Sequence, residues 1–109
     1  MAETFHNAYQ DVGTSYVDIV AAATGETLVV LTLRITNIDG TNDQTINAQV
    51  LDNDGTTNAR IAETITVPAD STLELAGTSK LVLEAGDSIQ LQTAATGDLE
   101  AFCSYLKIT

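Results

Sequence analysis

The chain has little cysteine, histidine or proline and no tryptophan, and these shortages exclude several kinds of structure and chemistry. Cys103 is the one cysteine among 109 residues, so no internal disulfide can form and the fold needs no oxidising compartment. His6 is the one histidine, which excludes a histidine-based metal site or a Ser-His-Asp triad within one chain. Pro68 is the one proline, so the rest of the chain is free to pair as strands.

Long apolar runs and a basic N-terminal segment are also missing. No apolar run approaches the roughly 20 residues that a membrane-spanning helix needs. The N-terminal stretch MAETFHNAYQ has neither a basic nor an apolar segment, so we expect no signal peptide and synthesis in a cytoplasm. We therefore expect no membrane contact.

Positive charge is scarce, since 4 Lys and Arg residues oppose 15 Asp and Glu residues for a net charge of −11. Such a surface repels phosphate, so we expect no nucleic-acid partner. Two interpretations of the charge stay open. It keeps the protein soluble, or it faces a basic partner or bulk solvent on a large assembly.

The residues that are abundant favour sheet over helix. Apolar residues make up 44% of the chain but aromatic residues only 5%, and Thr, Ile and Val are frequent. These β-branched residues pack well on a pleated surface. Period-two alternation between turn signals predicts about eight strands and no helix longer than a turn. The expected fold is all-β, a single antiparallel β-sandwich of jelly-roll or Ig-like type.

The last third, residues 80–109, has the most regular pattern. Apolar residues alternate on both sides of a Gly86-Asp87 turn, and a Gly97-Asp98 turn precedes a final strand. This pattern predicts three consecutive antiparallel strands that form a meander.

The final strand is apolar on both faces. We expect Phe102, Leu106 and Ile108 to face the core, and Ala101, Cys103 and Tyr105 to face the other way. A strand of this kind is central in its sheet or is buried against another subunit.

Two earlier strands raise questions of register. The segment 26–38 is the longest candidate, and it places one apolar set on a single face: Val29, Leu31, Leu33 and Ile35. In the segment 58–67, Glu63 falls on the same face as Ile61 and Ile65. Either a bulge near Ala62–Glu63 shifts the register, or the strand lies at an edge where the carboxylate reaches water.

Residues 1–12 show neither period cleanly, so we expect an extended N-terminal arm followed by a sandwich domain at 13–109. We expect partner contacts at six residues, namely Phe5, His6, Tyr9, Tyr16, Cys103 and Tyr105. Tyr16, Tyr105 and Leu51 are expected to form one exposed patch. For His6 the alternative is a solvated arm residue, and for Cys103 it is a packed and inert thiol.

No group of residues points to catalysis. The Asp52-Asn53-Asp54-Gly55 loop lacks the Glu that an EF-hand needs six residues after its Gly, and it is expected to be an acidic hairpin turn. The other carboxylates fit turns or polar strand faces. We therefore expect a protein that is not an enzyme, with no catalytic, metal-binding or cofactor-binding residues and no cofactor.

Three stretches carry a resemblance to a known class of proteins: VPADSTL at 67–73, LVLEAGDSIQ at 81–90 and LEAFCSYL at 99–106. Together they resemble small β-sandwich virion proteins of tailed bacteriophages. The resemblance implies a capsid decoration (cement) protein that bridges capsomers, assembles as a homotrimer and contacts the major capsid protein. It also implies a place in the virion, after assembly in the host cytoplasm.

Two other functions stay open. A tail or neck component of the virion has the same composition as a decoration protein, so the sequence does not separate them. A module that binds carbohydrate or a host surface also uses a β-sandwich, but such modules usually expose aromatic residues. The absence of Trp and the presence of only 3 Tyr count against it.

Overall fold

The computed structural model describes residues 2–53, 55–56, 58–76, 80–94 and 98–109. These residues form nine strands and no helix, which confirms the prediction of an all-β fold. The strands are β1 (Glu3–Asp11), β2 (Val17–Ala21), β3 (Thr27–Asn37), β4 (Gln44–Leu51), β5 (Asn58–Val67), β6 (Thr72–Glu74), β7 (Leu81–Leu83), β8 (Ser88–Thr93) and β9 (Leu99–Ile108). Within the described ranges, therefore, no helix is present that could cross a membrane.

The strands form two antiparallel sheets that pack face to face as a sandwich, as predicted. The first sheet has the order β1-β9-β3-β6, and β7 also pairs with β3. The short strands β6 and β7 lie along the same side of β3, β6 beside Arg34–Thr36 and β7 beside Leu28–Val30. The second sheet has the order β2-β8-β4-β5.

The predicted meander of the last third is wrong. Its three strands are present, but β7 and β9 belong to the first sheet and β8 belongs to the second. Each connection therefore crosses from one sheet to the other. The Gly86-Asp87 turn is present at one crossing, where Gly86 has a φ of 91° and its N–H donates to Ala22 O at 2.8 Å. Gly97 and Asp54, from two other predicted turns, lie outside the described residues.

The core lies between the sheets and is almost entirely aliphatic. Its largest fully buried apolar side chains are Leu28, Leu33, Ile35, Ile46, Leu83, Ile89, Leu91, Leu99, Val12, Val30 and Val67. Burying each of these side chains stabilises the fold by about 1.5–3 kcal/mol before entropy is counted. The side chains of other kinds that are buried among the described residues include Cys103, Asn37 and Thr93.

The register of β3 differs from the prediction. A bulge between Val30 and Thr32 shifts the strand by one residue, so Leu28 and Val30 are buried before it and Leu33 and Ile35 after it. The predicted single apolar face therefore holds for Leu33 and Ile35 but not for the residues before the bulge. A simple period of two cannot show a bulge in an uninterrupted apolar run.

The strand β5 confirms both explanations that the sequence left open for Glu63. Register shifts occur on either side of Ala62, and Thr64 has a positive φ of 51°. The strand is also an edge of the second sheet. Glu63 reaches solvent there and pairs with Arg60, with Nε and Oε2 2.8 Å apart.

The two faces of β9 are the reverse of the prediction. Leu99, Ala101 and Cys103 face the core and are buried, whereas Phe102 is half-buried on the opposite face. Both faces of this strand are apolar, so alternation alone gives no basis for choosing the inner one. The strand is central, between β1 and β3, as one of the two predicted explanations requires.

Residues 3–11, which the sequence predicts as an extended arm, are extended and pair along their whole length with β9 as an edge strand of the first sheet. Val12 follows and is 1% exposed in the core. The other side chains of β1 are exposed or half-buried. A strand without a fully buried face has no reason to alternate, which explains why its pattern is unclear in the sequence.

Candidate contact surface

The outer face of the first sheet, which points away from the core, carries an apolar row that crosses four of its five strands. Phe5 of β1 lies opposite Leu106 of β9, and Leu106 lies opposite Val29 of β3. Val29 in turn lies opposite Val82 of β7. We call these four residues the apolar row. Phe5 is 77% exposed and Val82 59%, so the row is open to solvent at both ends.

A second row on the same face begins with aromatic side chains. Tyr9, which is 73% exposed, lies opposite Phe102, and their ring centroids are 5.3 Å apart at an angle of 45°. Phe102 lies opposite Arg34, whose Nε is 3.5 Å from Oε1 of Glu74. The two rows lie on one face and are separated by the polar row Asn7–Ser104–Thr32. Exposed apolar and aromatic side chains concentrated on one face indicate an interface.

A surface depression of about 360 Å³ opens beside the aromatic pair of the second row. Its lining includes Tyr9, Phe102, Asp11 and Glu100, and the two carboxylates lie directly opposite each other on β1 and β9. Like charges in that position repel each other. Among the ion pairs of the described residues, neither carboxylate has a cationic partner. This end of the sheet therefore attracts a positive charge.

The outer face of the second sheet is different, because polar side chains cross it in a hydrogen-bonded ladder. Gln90 donates to Oδ1 of Asp18 at 3.0 Å, and Gln49 donates to Oε1 of Gln90 at 2.8 Å. Arg60 completes the ladder by donating to Oε1 of Gln49. A parallel row runs beside it, in which Asn47 donates to Gln92 at 3.1 Å. The polar groups of these two rows are hydrogen-bonded to one another.

The six residues predicted as partner contacts do not lie together. Phe5 and Tyr9 are exposed on the outer face of the first sheet, where a partner could contact them. His6 and Tyr105 face the inner side at the end of that sheet, where their rings stack with centroids 5.4 Å apart. Tyr16 lies beside Arg60 on the second sheet, with the guanidinium carbon 5.7 Å from the ring centroid. The predicted Tyr16–Tyr105–Leu51 patch is therefore absent.

Cys103 is completely buried in the core of its own chain. Burial raises the pKa of its thiol to about 12, and the nearby charge of Glu74 adds to the increase. The thiol is therefore protonated and inaccessible in the folded chain, as the alternative of a packed and inert thiol predicts.

The sequence analysis missed three members of the apolar row, namely Val29, Leu106 and Val82. A signal for the last of these was present. Val82 stands between Leu81 and Leu83, at the position where a half-buried strand normally has a polar residue. An apolar residue at this outward position adds to the apolar surface of the outer face.

The described part of the chain contains no group of three or more His, Cys, Asp or Glu side chains that could hold a metal ion. Asp11 and Glu100, which lie opposite each other, are the two carboxylates among the residues that line the depression.

Comparisons with known proteins identify the fold. No protein-family model and no curated protein matches the sequence. A chain of the disulfide-linked pili that form Bacillus endospore appendages has a TM-score of 0.57 and 18% identity, and the alignment covers 99% of this chain and 87% of that one. A chain of the acid-stable capsid of Helicobacter pylori bacteriophage KHP30 has a TM-score of 0.53 and 12% identity, with coverage of 100% and 89%.

A chain of the T13 IBDV viral particle is also similar, with a TM-score of 0.55 and 9% identity. That alignment covers 96% of this chain but 30% of the viral one, so this chain spans less than a third of its length. At these identities the similarity concerns the fold alone. The same β-sandwich is thus found in subunits of capsids and of pili.

Proposed function

We propose that this protein is a non-enzymatic structural protein of a bacteriophage virion, and specifically a capsid decoration protein that bridges capsomers. The observation that carries the proposal is the exposed outer face of the first sheet. Its apolar row and its Tyr9–Phe102 pair form a surface that a second protein can cover.

The strand order supports this proposal. If β6 and β7 count as one interrupted edge strand, each sheet has four strands, and the chain crosses repeatedly between the sheets. This order supports a jelly-roll arrangement, an architecture that viral capsid proteins use. The similarity to capsid chains of a bacteriophage and of IBDV agrees with it.

Charge and exposure support a particular arrangement in the particle. With a net charge of −11, the protein is placed on the outside of the shell, away from the packaged nucleic acid and in contact with the major capsid protein. Residues 1–12 act as the attachment segment, with Phe5 and Tyr9 as its exposed anchors. The subunits assemble as a homotrimer, and assembly takes place in the host cytoplasm.

The experiment is a particle-binding assay. Purified protein is mixed with phage particles that lack it, the particles are pelleted, and the bound copies are counted. We expect the double variant Phe5→Thr/Val82→Thr to lose most binding, because it removes both exposed ends of the apolar row. Ile38→Thr is the matched control, since Ile38 is 51% exposed but lies outside the row. Equal occupancy by all three proteins would rule out this face as the attachment surface.

A second candidate function is a subunit of a tube or filament, which includes a tail or neck component of the virion. The similarity to an endospore pilus subunit over 87% of that chain favours it. Disulfide linkage of the kind named for those pili does not suit this chain, because Cys103 is buried. Cryo-electron microscopy of the particle separates the candidates by asking whether density for the protein lies on the shell or on the tail.

A further inference from the structure

The four sheet edges of the described strands differ in how well they are protected against pairing with another strand. On the first sheet, β6 and β7 have 3 residues each. On the second sheet, β2 and β5 are interrupted by bulges. In contrast, β1 is 9 residues long, and its pairing with β9 shows no register shift. It also contains no proline, lysine or arginine, which are the residues that commonly protect an edge.

The backbone geometry shows which groups β1 presents at its free edge. Ala2 and Thr109 exchange both of their backbone hydrogen bonds, at 3.2 and 2.9 Å, and Val12 N–H donates to Leu99 O at 3.0 Å. Because hydrogen-bonded pairs alternate along an antiparallel ladder, the even-numbered residues of β1 bond to β9. The N–H and C=O groups of its odd-numbered residues, Glu3 to Asp11, therefore point away from the sheet.

The side chains of those odd-numbered residues lie on the outer face and have a clear charge pattern. Acidic residues stand at both ends of the strand, at Glu3 and Asp11, and the exposed rings of Phe5 and Tyr9 stand between them. Glu100 adds a further negative charge opposite Asp11. A strand that pairs with this edge binds most tightly if it carries Lys or Arg opposite the two acidic ends and apolar residues opposite the rings.

A second copy of the chain does not meet this requirement when the two β1 strands pair along their whole length. In a symmetric antiparallel pair centred on Asn7, Phe5 would lie opposite Tyr9, but Glu3 would lie opposite Asp11 at both ends. Like charges directly opposite each other are destabilising. The net charge of −11 on each copy adds to the repulsion.

From these observations we infer that the free edge of β1 is a binding site for an extended segment of another protein, which adds to the first sheet as a strand with basic ends and an apolar middle. This mode of recognition takes affinity from main-chain hydrogen bonds and specificity from alternate side chains. The inference rests on the proposed function in needing a partner protein, and it specifies the edge and the chemistry of that partner.

The experiment uses the full chain and a fluorescent peptide as long as β1, which has 9 residues. The peptide carries Lys opposite Glu3 and Asp11, Val opposite Phe5 and Tyr9, and Thr or Ser elsewhere. We expect binding that weakens as salt is added. Asn7→Pro should reduce it about tenfold or more, because proline removes an N–H that points to the free edge and leaves the backbone hydrogen bonds to β9 intact. Asn7→Val, which keeps the N–H, should bind like the wild type.

Hydrogen exchange gives a second measurement that does not depend on the proline variant folding. In the wild-type chain, the peptide should protect the amides of Phe5, Asn7 and Tyr9, whereas those of His6 and Ala8 are protected with or without it. The double variant Glu3→Lys/Asp11→Lys should bind a peptide with Glu in place of Lys. Equal affinity of Asn7→Pro and Asn7→Val, or no binding at millimolar peptide, would overturn the inference.

Two further outcomes separate this inference from its alternatives. Self-association that strengthens with salt and disappears in Asn7→Pro would assign the edge to a second copy and overturn the inference. Particle binding that survives Asn7→Pro would leave the decoration role intact while removing the edge from it. Peptide binding without particle binding would support the edge of β1 as a binding site and would count against the decoration role.

Discussion

The outer faces of the two sheets differ in the side chains that they carry and in what those side chains contact. On the second sheet, the side chains of Asp18, Gln90, Gln49 and Arg60 are hydrogen-bonded to one another from edge to edge. On the first sheet, the outward side chains include an apolar row, and Phe5 and Val82 contribute most of their surface to solvent rather than to the core.

This difference indicates where a partner can bind. A face whose polar groups satisfy one another gains little from a partner, because each new hydrogen bond replaces an existing one. A face of exposed apolar side chains gains from losing water. Side chains of the second sheet should therefore matter for folding, and those of the apolar row should matter for binding.

Glu74 is the strongest exception to this division, and replacing it should cause the largest loss of stability. It lies on the first sheet, but its Oε2 accepts hydrogen bonds from Leu33 N–H at 2.8 Å and Ala76 N–H at 3.1 Å. Glu74→Ala leaves the buried Leu33 N–H without its acceptor, so we expect a loss of about 2 kcal/mol in the free energy of unfolding. Urea denaturation measures it.

Two controls test the cause of that loss. Glu74→Gln keeps a side-chain oxygen acceptor and should lose clearly less than Glu74→Ala. Arg34→Ala removes only the exposed ion pair and should cost at most about 1 kcal/mol. If Arg34→Ala costs as much as Glu74→Ala, the ion pair rather than the backbone contact stabilises this edge.

Gln49 tests the polar ladder of the second sheet. It is 6% exposed, donates to Gln90 and accepts from Arg60. Gln49→Leu keeps the size of the side chain but removes both bonds, so we expect a loss of about 1.5 kcal/mol in thermal or urea unfolding. Gln10→Leu is the matched control, since the side chain of Gln10 donates to the backbone carbonyl of the neighbouring Asp11 rather than to another strand. Equal stability of both variants would mean that the ladder contributes nothing to folding.

Replacing Thr32 should change the stability by a smaller amount and in the opposite direction. Its hydroxyl is buried and has no hydrogen-bond partner among the described residues. Thr32→Val replaces the hydroxyl by a methyl group of similar size in a strand that favours β-branched residues, so we expect stability to rise by about 1 kcal/mol. Thr36→Val is the control, because the Thr36 hydroxyl is bonded to that of Thr72 at 3.1 Å. A loss of stability in Thr32→Val would show that the hydroxyl has a partner, such as a buried water.

The sequence predicted the strands well because each buried strand leaves an alternating pattern. It did not predict which strands pair, since the pattern of β8 is the same whether its neighbours are β7 and β9 or β2 and β4. It also failed where both faces are apolar, as at Phe102 and Cys103 of β9. In such strands the inner face is decided by packing between the sheets, which is a property of the whole chain.

The contact surface was predictable only in part, for a related reason. Phe5 and Tyr9 were identified because aromatic residues are rare in this chain. Val29 and Leu106 were not, because an apolar residue in a strand is normally assigned to the core. Their place on the outer face depends on the bulge of β3 and on the reversed faces of β9.

Phe5 provides the smallest expected change in stability and the sharpest test of the comparison. It is 77% exposed, so replacing it removes little area that folding has buried. Phe5→Thr should therefore change the free energy of unfolding by no more than about 0.5 kcal/mol, since Thr also suits a strand. Equilibrium urea denaturation of both proteins at the same ionic strength measures the difference. A loss as large as that expected for Gln49→Leu would mean that the outer face of the first sheet stabilises the single chain. The proposed difference between the two faces, one for folding and one for binding, would then be wrong.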